Sequence, residues 1–261
     1  MIFLVGIVIF QNGEGKYQVM INNSELLAAL VRAGKISQET VDHWTQLLFY
    51  TPHEPGSAPW DPFMYRLWIK QKRDTFEDII DFYREDCSVV FQGTMAGSWT
   101  GSVLSDSLKT VVKSNDKVLE YGSGGGREIA GCLKQGAKVT ACDVSERLLE
   151  GIKLLAQENG YGEHLDTLLI REEVPSLPKD YDVIITIDCL EHVQKPIEVL
   201  KELISSLKTN GLLYIEVFFG GHEMSPYHLV ENNYLGDPQT WYGLLESLGL
   251  RRLDTYLWQK I

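Results

Sequence analysis

The second half of the chain, from about residue 103, alternates between short apolar runs and amphipathic stretches. Apolar runs rich in Val and Ile predict buried strands, whereas apolar residues that recur every three or four positions predict the helices between them. The clearest strand covers residues 181–187, and a helix over 196–207 and a strand over 212–218 follow it. This alternation predicts the α/β fold class, with a doubly wound, mostly parallel sheet covered by helices on both faces.

The same patterns give the remaining elements of this half. One strand is predicted to end near Leu119, and others to cover residues 138–143, 165–170 and 251–259. Helices are predicted over residues 103–113, 127–135, 145–159 and 238–247. Only one strand is therefore expected after the last helix.

The first hundred residues follow a different pattern. Two apolar segments, 2–10 and 17–21, flank Asn12-Gly13 and predict a β-hairpin. Helices are expected over 25–32 and 37–50, and one long helix from Pro62 to Tyr83. The glycine-containing stretch 92–101 is interpreted as a flexible junction. We therefore predict two domains: residues 1–100, a β-hairpin with a mainly helical lid or substrate region, and residues 101–261, the α/β domain.

Aromatic residues are frequent in the front region. Most of them fit the core of a helical bundle. Trp60, Tyr65 and Trp99 lie near predicted loops instead, which makes them candidates for the wall of a pocket that takes an apolar or aromatic substrate.

A glycine-rich turn follows the first strand of the α/β domain. Glu120 closes this strand, Gly122, Gly124 and Gly126 leave the turn almost without side chains, and a helix comes next. The next strand ends on Asp143. Strand, glycine turn, helix, strand and acid form the layout of a nucleotide-binding βαβ unit, in which the acid can hold the two hydroxyls of a ribose.

The spacing of these glycines excludes the dinucleotide pattern G-x-G-x-x-G, because the sixth position from Gly122 is Arg127. The carboxylate of Glu120 suits a ligand with a cationic end and would repel a pyrophosphate. S-adenosylmethionine carries an ammonium, a sulfonium and a ribose. The stretch from Glu120 to Asp143 thus resembles the class I S-adenosylmethionine-dependent methyltransferase family, in particular its small-molecule type.

Three later segments resemble the same family, over about residues 100–250 in all. An acid precedes Leu177-Pro178 at the place where the family contacts the adenine amino group, and Glu173 has a better spacing for this than Glu172. The segment 182–193 resembles the fourth strand and the turn between cofactor and substrate, and 207–216 resembles the helix end, turn and fifth strand. The resemblance implies a seven-stranded, Rossmann-like sheet.

The resemblance also implies a cofactor and a set of residues that hold it. The cofactor is S-adenosylmethionine, with S-adenosylhomocysteine as the product. The residues implied for cofactor binding are Glu120, Gly122, Ser123, Gly124, Gly126, Asp143, Val144, Glu173, Asp188 and Cys189.

The chain departs from the family at its end, where the family has an antiparallel pair of strands and only one is predicted here. We expect the N-terminal strand, residues 2–10, to supply the missing edge of the sheet or to pair with a second subunit in a homodimer.

Candidate catalytic residues follow the fourth and fifth strands, beside the expected opening. A base is needed only where the nucleophile must lose a proton, and it contributes roughly 10²–10⁴-fold. His192, His222 and His228 are the candidate bases, and Tyr227 is a hydroxyl that could orient the substrate. Glu191, His192, His222 and Glu223 could also bind a divalent ion, but their spacing fixes no ligand geometry, and we expect no metal.

The net charge of −12, from 24 Lys and Arg against 36 Asp and Glu, argues against a nucleic-acid partner. A small-molecule substrate fits better. The four cysteines are widely spaced, which indicates free thiols in a reducing compartment such as the cytoplasm. The apolar segment at the start is shorter than the roughly 20 residues of a membrane span. We therefore expect a cytoplasmic protein without a membrane partner.

Taken together, these features favour an enzyme that transfers a methyl group to oxygen, nitrogen or carbon of a small molecule. A methyltransferase for peptides or proteins, with the front region as its docking surface, is one alternative. A methyltransferase-like binding module without catalysis is another. The sequence Asp188-Cys-Leu-Glu replaces the Asn/Asp-Pro-Pro-aromatic signature of amino-group methylation on bases and glutamine. A nicotinamide dehydrogenase is disfavoured by the glycine spacing.

Overall fold

The computed structural model describes the backbone of residues 2–4, 7–11, 17–21, 24–50, 62–102, 104–219 and 228–261, and side chains from residue 24 onward except 49–50, 62–63, 65 and 69 within these ranges. The chain divides into two compact units. Unit 1 contains residues 1–103, 124–130 and 143–163, and unit 2 contains residues 104–123, 131–142 and 164–261. The chain thus passes between the units within the glycine turn.

Unit 2 is built on a seven-stranded sheet. Its strands are β4 (Lys117–Tyr121), β5 (Lys138–Asp143), β6 (Leu165–Leu169), β7 (Tyr181–Ile187), β8 (Leu207–Glu216), β9 (Leu250–Arg252) and β10 (Leu257–Lys260). Their order in the sheet is β6-β5-β4-β7-β8-β10-β9. Strand β4 pairs in parallel with β5 and β7, and β7 pairs in parallel with β8. The predicted α/β fold with a mostly parallel, Rossmann-like sheet is confirmed.

Unit 2 also contains the helices α6 (Asp106–Val111), α9 (Pro196–Ser206) and α10 (Pro238–Ser247). Helix α7 (Arg127–Lys134) is divided, since its first four residues belong to unit 1 and its last four to unit 2. Helix α10 begins where its sequence indicates, because the Asp237 side chain accepts a hydrogen bond from the Thr240 N–H and Pro238 occupies the first turn. Strand β8 begins five residues earlier than predicted. Asn210 adopts a φ of 62° inside it, and its pairing with β7 is irregular there.

The end of the chain differs from its prediction. Residues 251–259 do not form one strand: β9 and β10 are separate and pair antiparallel with each other, while β10 pairs antiparallel with β8. The prediction of a single last strand is therefore wrong. The chain has the antiparallel terminal pair after all, compressed into strands of three and four residues.

The N-terminal strands do not complete the large sheet. Strands β1 (Ile2–Leu4), β2 (Ile7–Gln11) and β3 (Tyr17–Ile21) form a separate antiparallel sheet with the order β1-β2-β3. The expected hairpin is present as β2 and β3, but residues 2–10 form two strands instead of one. The proposed role of this segment as an edge of the large sheet is wrong, since β9 holds that edge.

Unit 1 also contains the front helices and one helix from the second half of the chain. These are α1 (Glu25–Arg32), α2 (Gln38–Tyr50), α3 (Pro62–Lys70), α4 (Phe76–Arg84), α5 (Asp86–Ala96) and α8 (Glu146–Glu158). The predicted long helix from residue 62 to 83 is wrong. It is divided into α3 and α4 because Thr75 starts a new helix with a capping box, in which its side chain and that of Asp78 exchange hydrogen bonds with the backbone.

Helix α5 was not predicted. Its last residues, Gln92 to Ala96, occupy the start of the stretch interpreted as a flexible junction, and that interpretation is wrong for them. Gly97 ends the helix with a φ of 65°, a conformation that glycine adopts without strain.

Helices α1 and α8 pack closely within unit 1. A Cβ atom on Gly151 of α8 would lie only 2.9 Å from Cγ of Leu26, so only glycine allows this approach. Two ion pairs extend the contact along the surface, Arg32 with Glu158 and Lys35 with Glu150, each at 2.7 Å. The α8 helix is thus held by the front part of the chain.

Within the part of the chain that the structure describes, no helix combines the length and apolar character needed to cross a bilayer.

Candidate cofactor-binding and catalytic site

The first half of the glycine turn is fixed inside unit 2. The N–H groups of Gly122 and Ser123 both donate to the carbonyl oxygen of Cys142, at 2.8 and 3.1 Å. A Cβ atom on Gly122 would lie 2.4 Å from Sγ of Cys189, and the residue has a φ of 76°. The turn therefore has to be bare at Gly122, both for its backbone conformation and for the segment that follows β7.

The second half of the turn is packed inside unit 1. A Cβ atom on Gly125 would lie 2.2 Å from Cβ of Ala96, and one on Gly126 would lie 2.7 Å from Cγ1 of Ile152. Helices α5 and α8 thus press directly on this part of the turn. The sequence predicted bare backbone at the turn for approach by a ligand, and the structure adds a second reason, which is close packing by helices.

Asp143 is a buried carboxylate that organises the turn. Its Oδ2 accepts a hydrogen bond from the Gly124 N–H at 2.8 Å, and its Oδ1 accepts one from the Ser145 N–H at 2.9 Å. Burial raises the pKa of Asp143 to about 6, although both backbone donors act in the opposite direction. Hydrogen-bond donors from a ligand would stabilise the ionised form further. The neighbouring Val144 accepts a hydrogen bond at its carbonyl from the Arg84 guanidinium.

Glu120 lies at the carboxyl end of β4, between its sheet partners Ala141 and Ile185. The side chain is buried, and so is that of Ser123 in the turn. An ionised carboxylate at this edge of the sheet would attract a cationic group. The position agrees with the rule that ligands of such sheets bind beyond the carboxyl ends of the strands.

Glu173 lies in the segment after β6 and forms an ion pair with Lys195 at 2.5 Å. Its side chain is about 20% exposed, whereas Glu172 is exposed. The pair holds the Glu173 carboxylate in place. Its suggested contact with an adenine amino group stays a prediction.

Asp188 and Cys189 follow β7. Asp188 has a φ of 47°, which is rare for residues other than glycine, and its N–H donates to the Glu216 carbonyl at 3.1 Å. The half-buried Cys189 fills the space beside Gly122. The conformation of Asp188 therefore places Cys189 against Gly122 of the glycine turn.

His192 and His228 come together beside Glu191 in unit 2. The two imidazole rings are 4.8 Å apart, centre to centre, and nearly perpendicular. Glu191 is fully buried. Its Oε1 accepts a hydrogen bond from the Phe218 N–H at 2.9 Å, and its backbone carbonyl accepts one from the Leu229 N–H at 3.0 Å. Burial raises the pKa of Glu191, while a positive charge on His228 opposes that shift.

This cluster of Glu191, His192 and His228 places one carboxylate oxygen and two imidazole nitrogens within 4.8 Å of one another. The sequence named both histidines as candidate bases but gave no sign that they meet. The group offers either a base supported by a buried carboxylate or donors for a divalent ion. His222, Glu223 and Tyr227 lie outside the described residues.

Trp99, one of the three candidates for the wall of a substrate pocket, lies in a different environment from the one predicted. This side chain is buried, and its Nε1 lies 3.3 Å from the position of a Cβ on Gly126. Trp99 thus packs the glycine turn within unit 1. Trp60 and the side chain of Tyr65 lie outside the described residues.

Comparison with known proteins gives a family match. The model of the family described as "Methyltransferase domain" matches residues 97–253. A ubiquinone biosynthesis O-methyltransferase of Idiomarina loihiensis is 32% identical over 98 residues, which are 38% of this chain and 40% of that protein. The protein of the same name from Histophilus somni is 33% identical over 102 residues, 38% of this chain and 43% of that protein. The chain thus spans less than half the length of these relatives.

Among solved structures, an S-adenosylmethionine-dependent methyltransferase from Aquifex aeolicus matches with a TM-score of 0.45 and 21% identity. The match covers 59% of this chain and 85% of that one.

Proposed function

Because the chain belongs to the methyltransferase-domain family, we propose that it transfers a methyl group to an oxygen atom of a small molecule. S-adenosylmethionine is the cofactor of this chain and supplies the methyl group. The proposal of oxygen rests on the relatives, which are named O-methyltransferases. Nitrogen or carbon of a small molecule, and a side chain of a peptide, are the competing acceptors.

The observation that carries the cofactor site is the buried Asp143. Its carboxylate accepts two backbone N–H groups and would accept the ribose hydroxyls. The chemistry of the donors fits, because the glycines leave the backbone bare and the second buried acid, Glu120, suits the cationic end of the cofactor. We assign Gly122, Ser123, Gly124 and Gly126 to the cradle.

Four further residues complete the proposed cofactor site. Val144, Glu173, Asp188 and Cys189 are assigned from the family resemblance. Glu173 is assigned to the adenine amino group, and Asp188 with Cys189 to the cofactor side of the turn after β7. Their support is their position after strands β5, β6 and β7, at the carboxyl edge of the sheet.

The cluster at Glu191 supports acid–base chemistry. A hydroxyl that attacks a methyl group loses its proton, and His192 or His228 is proposed to accept it. A buried carboxylate stabilises the imidazolium that this transfer creates, as Glu191 would do here. His222 is retained as a further candidate base and Tyr227 as an orienting hydroxyl.

We also propose a cytoplasmic enzyme with a small-molecule substrate. Cys87, Cys132 and Cys142 are buried free thiols, in agreement with a reducing compartment. The net charge of −12 argues against nucleic acid as a partner. The homodimer predicted from the N-terminal strand stays a proposal, which analytical ultracentrifugation would test.

Calorimetry tests the cofactor, with S-adenosylmethionine, S-adenosylhomocysteine and NAD as ligands. We expect both adenosyl ligands to bind and NAD to give no heat. Absence of heat with either adenosyl ligand, for folded protein, would refute the proposal.

A second experiment tests the acceptor. The protein is incubated with S-adenosylmethionine labelled in its methyl group and with panels of phenols, amines and peptides. Label is expected on the phenols, with a steep loss in His192→Ala or His228→Ala. Label on peptides alone would favour the protein-methylating alternative, and no label on any acceptor despite cofactor binding would favour the silent binding module.

A further inference from the structure

A residue of the front region reaches the glycine turn with a polar group. Helix α5 is fixed there by the contact between Ala96 and Gly125. Gln92 lies four residues earlier, hence on the same face of the helix. Its Oε1 is 3.2 Å from the position that a Cβ on Gly124 would occupy. Gln92 therefore lies over the residue whose N–H binds Asp143.

The side-chain amide of Gln92 is available to a ligand. The residue is half-buried. A side-chain amide has two N–H donors and an oxygen acceptor. In the described part of the chain, no residue forms a hydrogen bond with the side-chain amide of Gln92. A partly buried amide that has no hydrogen-bond partner among the described residues, and that lies beside the glycine turn, is well placed to bind a polar group.

We propose that Gln92 binds the amino-acid end of S-adenosylmethionine. Its amide N–H donates to the carboxylate of the cofactor, and its amide oxygen accepts from the ammonium group. This inference rests on the proposed cofactor site, in which Asp143 holds the ribose. Gly124 links the two, because it donates its N–H to Asp143 and lies under the Gln92 amide. An uncharged amide matches both charges of a zwitterion and adds no further negative charge near the buried Asp143.

The assignment has a consequence for the front region. Helix α5 supplies a cofactor contact in addition to packing the turn, so cofactor binding depends on residues before position 97.

The test compares two ligands that differ only at the amino-acid end. S-adenosylhomocysteine has the amino and carboxyl groups, and 5′-methylthioadenosine keeps the adenine, ribose and sulfur without them. Calorimetry measures the affinity of both ligands for the parent protein, for Gln92→Leu and for Gln92→Asn. The Asn side chain retains the amide but is one methylene shorter. Gln135→Leu is the matched control, since Gln135 is another half-buried glutamine, just beyond the far end of α7 from the turn.

Gln92→Leu is expected to weaken the binding of S-adenosylhomocysteine by roughly tenfold or more, because a hydrogen bond to a charged group is lost. The affinity for 5′-methylthioadenosine should not change. Gln92→Asn should show the same selectivity, and serves if Gln92→Leu does not fold. Gln135→Leu should change neither affinity. Unchanged affinity for S-adenosylhomocysteine in the Gln92 variants overturns the inference, and so does an equal loss for both ligands. No binding of S-adenosylhomocysteine to the parent protein would instead overturn the proposed function.

Discussion

Replacing Asp143 by Asn gives the sharpest test of the cofactor site. The substitution keeps the size of the side chain and removes its charge. In the parent, the two carboxylate oxygens accept the Gly124 and Ser145 N–H groups, at 2.8 and 2.9 Å. An Asn amide keeps only one acceptor, so one of these donors faces an NH₂ group. The substitution should therefore destabilise the turn and weaken its binding of a ribose.

The magnitude follows from the charge that is lost. A hydrogen bond to an ionised group contributes about 1.5–3 kcal/mol, so S-adenosylhomocysteine should bind roughly 10- to 150-fold more weakly to Asp143→Asn. The parent protein should also show a pH dependence, because the pKa of Asp143 is raised to about 6. At pH 5 only about one tenth of the carboxyl is ionised, and the affinity should fall roughly tenfold below its value at pH 7.

Calorimetric titrations at pH 5, 6 and 7 check both statements. The Asn variant should bind weakly with little dependence on pH, while the affinity of the parent should rise through about pH 6. Equal affinities of the two proteins would refute the assignment of Asp143 to the ribose. A parent profile that is flat over this range would show instead that Asp143 does not titrate near pH 6. Arg32→Ala is a suitable control, because its ion pair with Glu158 is exposed.

The stability of the protein should change with pH in the opposite sense. Burial raises the pKa of Asp143 above its ordinary value of 3.8, so the folded state binds more protons than the unfolded state between about pH 4 and 6. The stabilising contribution of this proton uptake is complete below pH 3.8 and is lost as the pH rises through about 6. A pKa raised from 3.8 to about 6 corresponds to roughly 3 kcal/mol of stability. Urea unfolding should therefore show a smaller decrease from pH 4 to 7 in Asp143→Asn than in the parent.

Three further predictions concern packing and charge. Gly125→Ala should lower the free energy of unfolding by roughly 1–3 kcal/mol, since its Cβ would collide with Ala96; urea unfolding that matches the parent would contradict this. Glu191→Gln should flatten the decrease in stability above pH 4.5, because burial raises the pKa of Glu191 and the amide does not titrate; melting curves at pH 5 and 8 would reveal an unchanged slope if this is wrong. Arg32→Ala should cost no more than about 1 kcal/mol, since the ion pair with Glu158 is exposed; a larger loss on urea unfolding would contradict it.

The sheet could be predicted because its signal is local. Strand β7, Tyr181–Ile187, was predicted with the bounds that the structure has, since a buried parallel strand is an almost continuous apolar run. The glycines and acids of βαβ binding sites occur at fixed places relative to such strands, so the turn and Asp143 followed from them.

Helix α5 could not be predicted in this way. Buried residues surround it on several faces, including Ser88, Val90, Gly93 and Thr94, so its sequence lacks the one-sided period of an exposed helix. The contact between His192 and His228 could not be predicted either. The two residues are 36 positions apart, and their contact depends on how the segments after β7 and β8 approach each other. Short strands such as β9 carry too few residues to show a period.

The packing of α1 on α8, with Gly151 pressed against Leu26, limits how this protein can be re-engineered. The front helices cannot be exchanged as a cassette for those of another enzyme, because α8 and the turn at Gly125 would lose the surfaces that cover them. A redesign of acceptor choice has to proceed by individual side-chain changes, or by transplanting α8 together with the helices that precede the turn. A truncated version that starts at residue 101 would expose the apolar face of α8 and is a poor scaffold for such work.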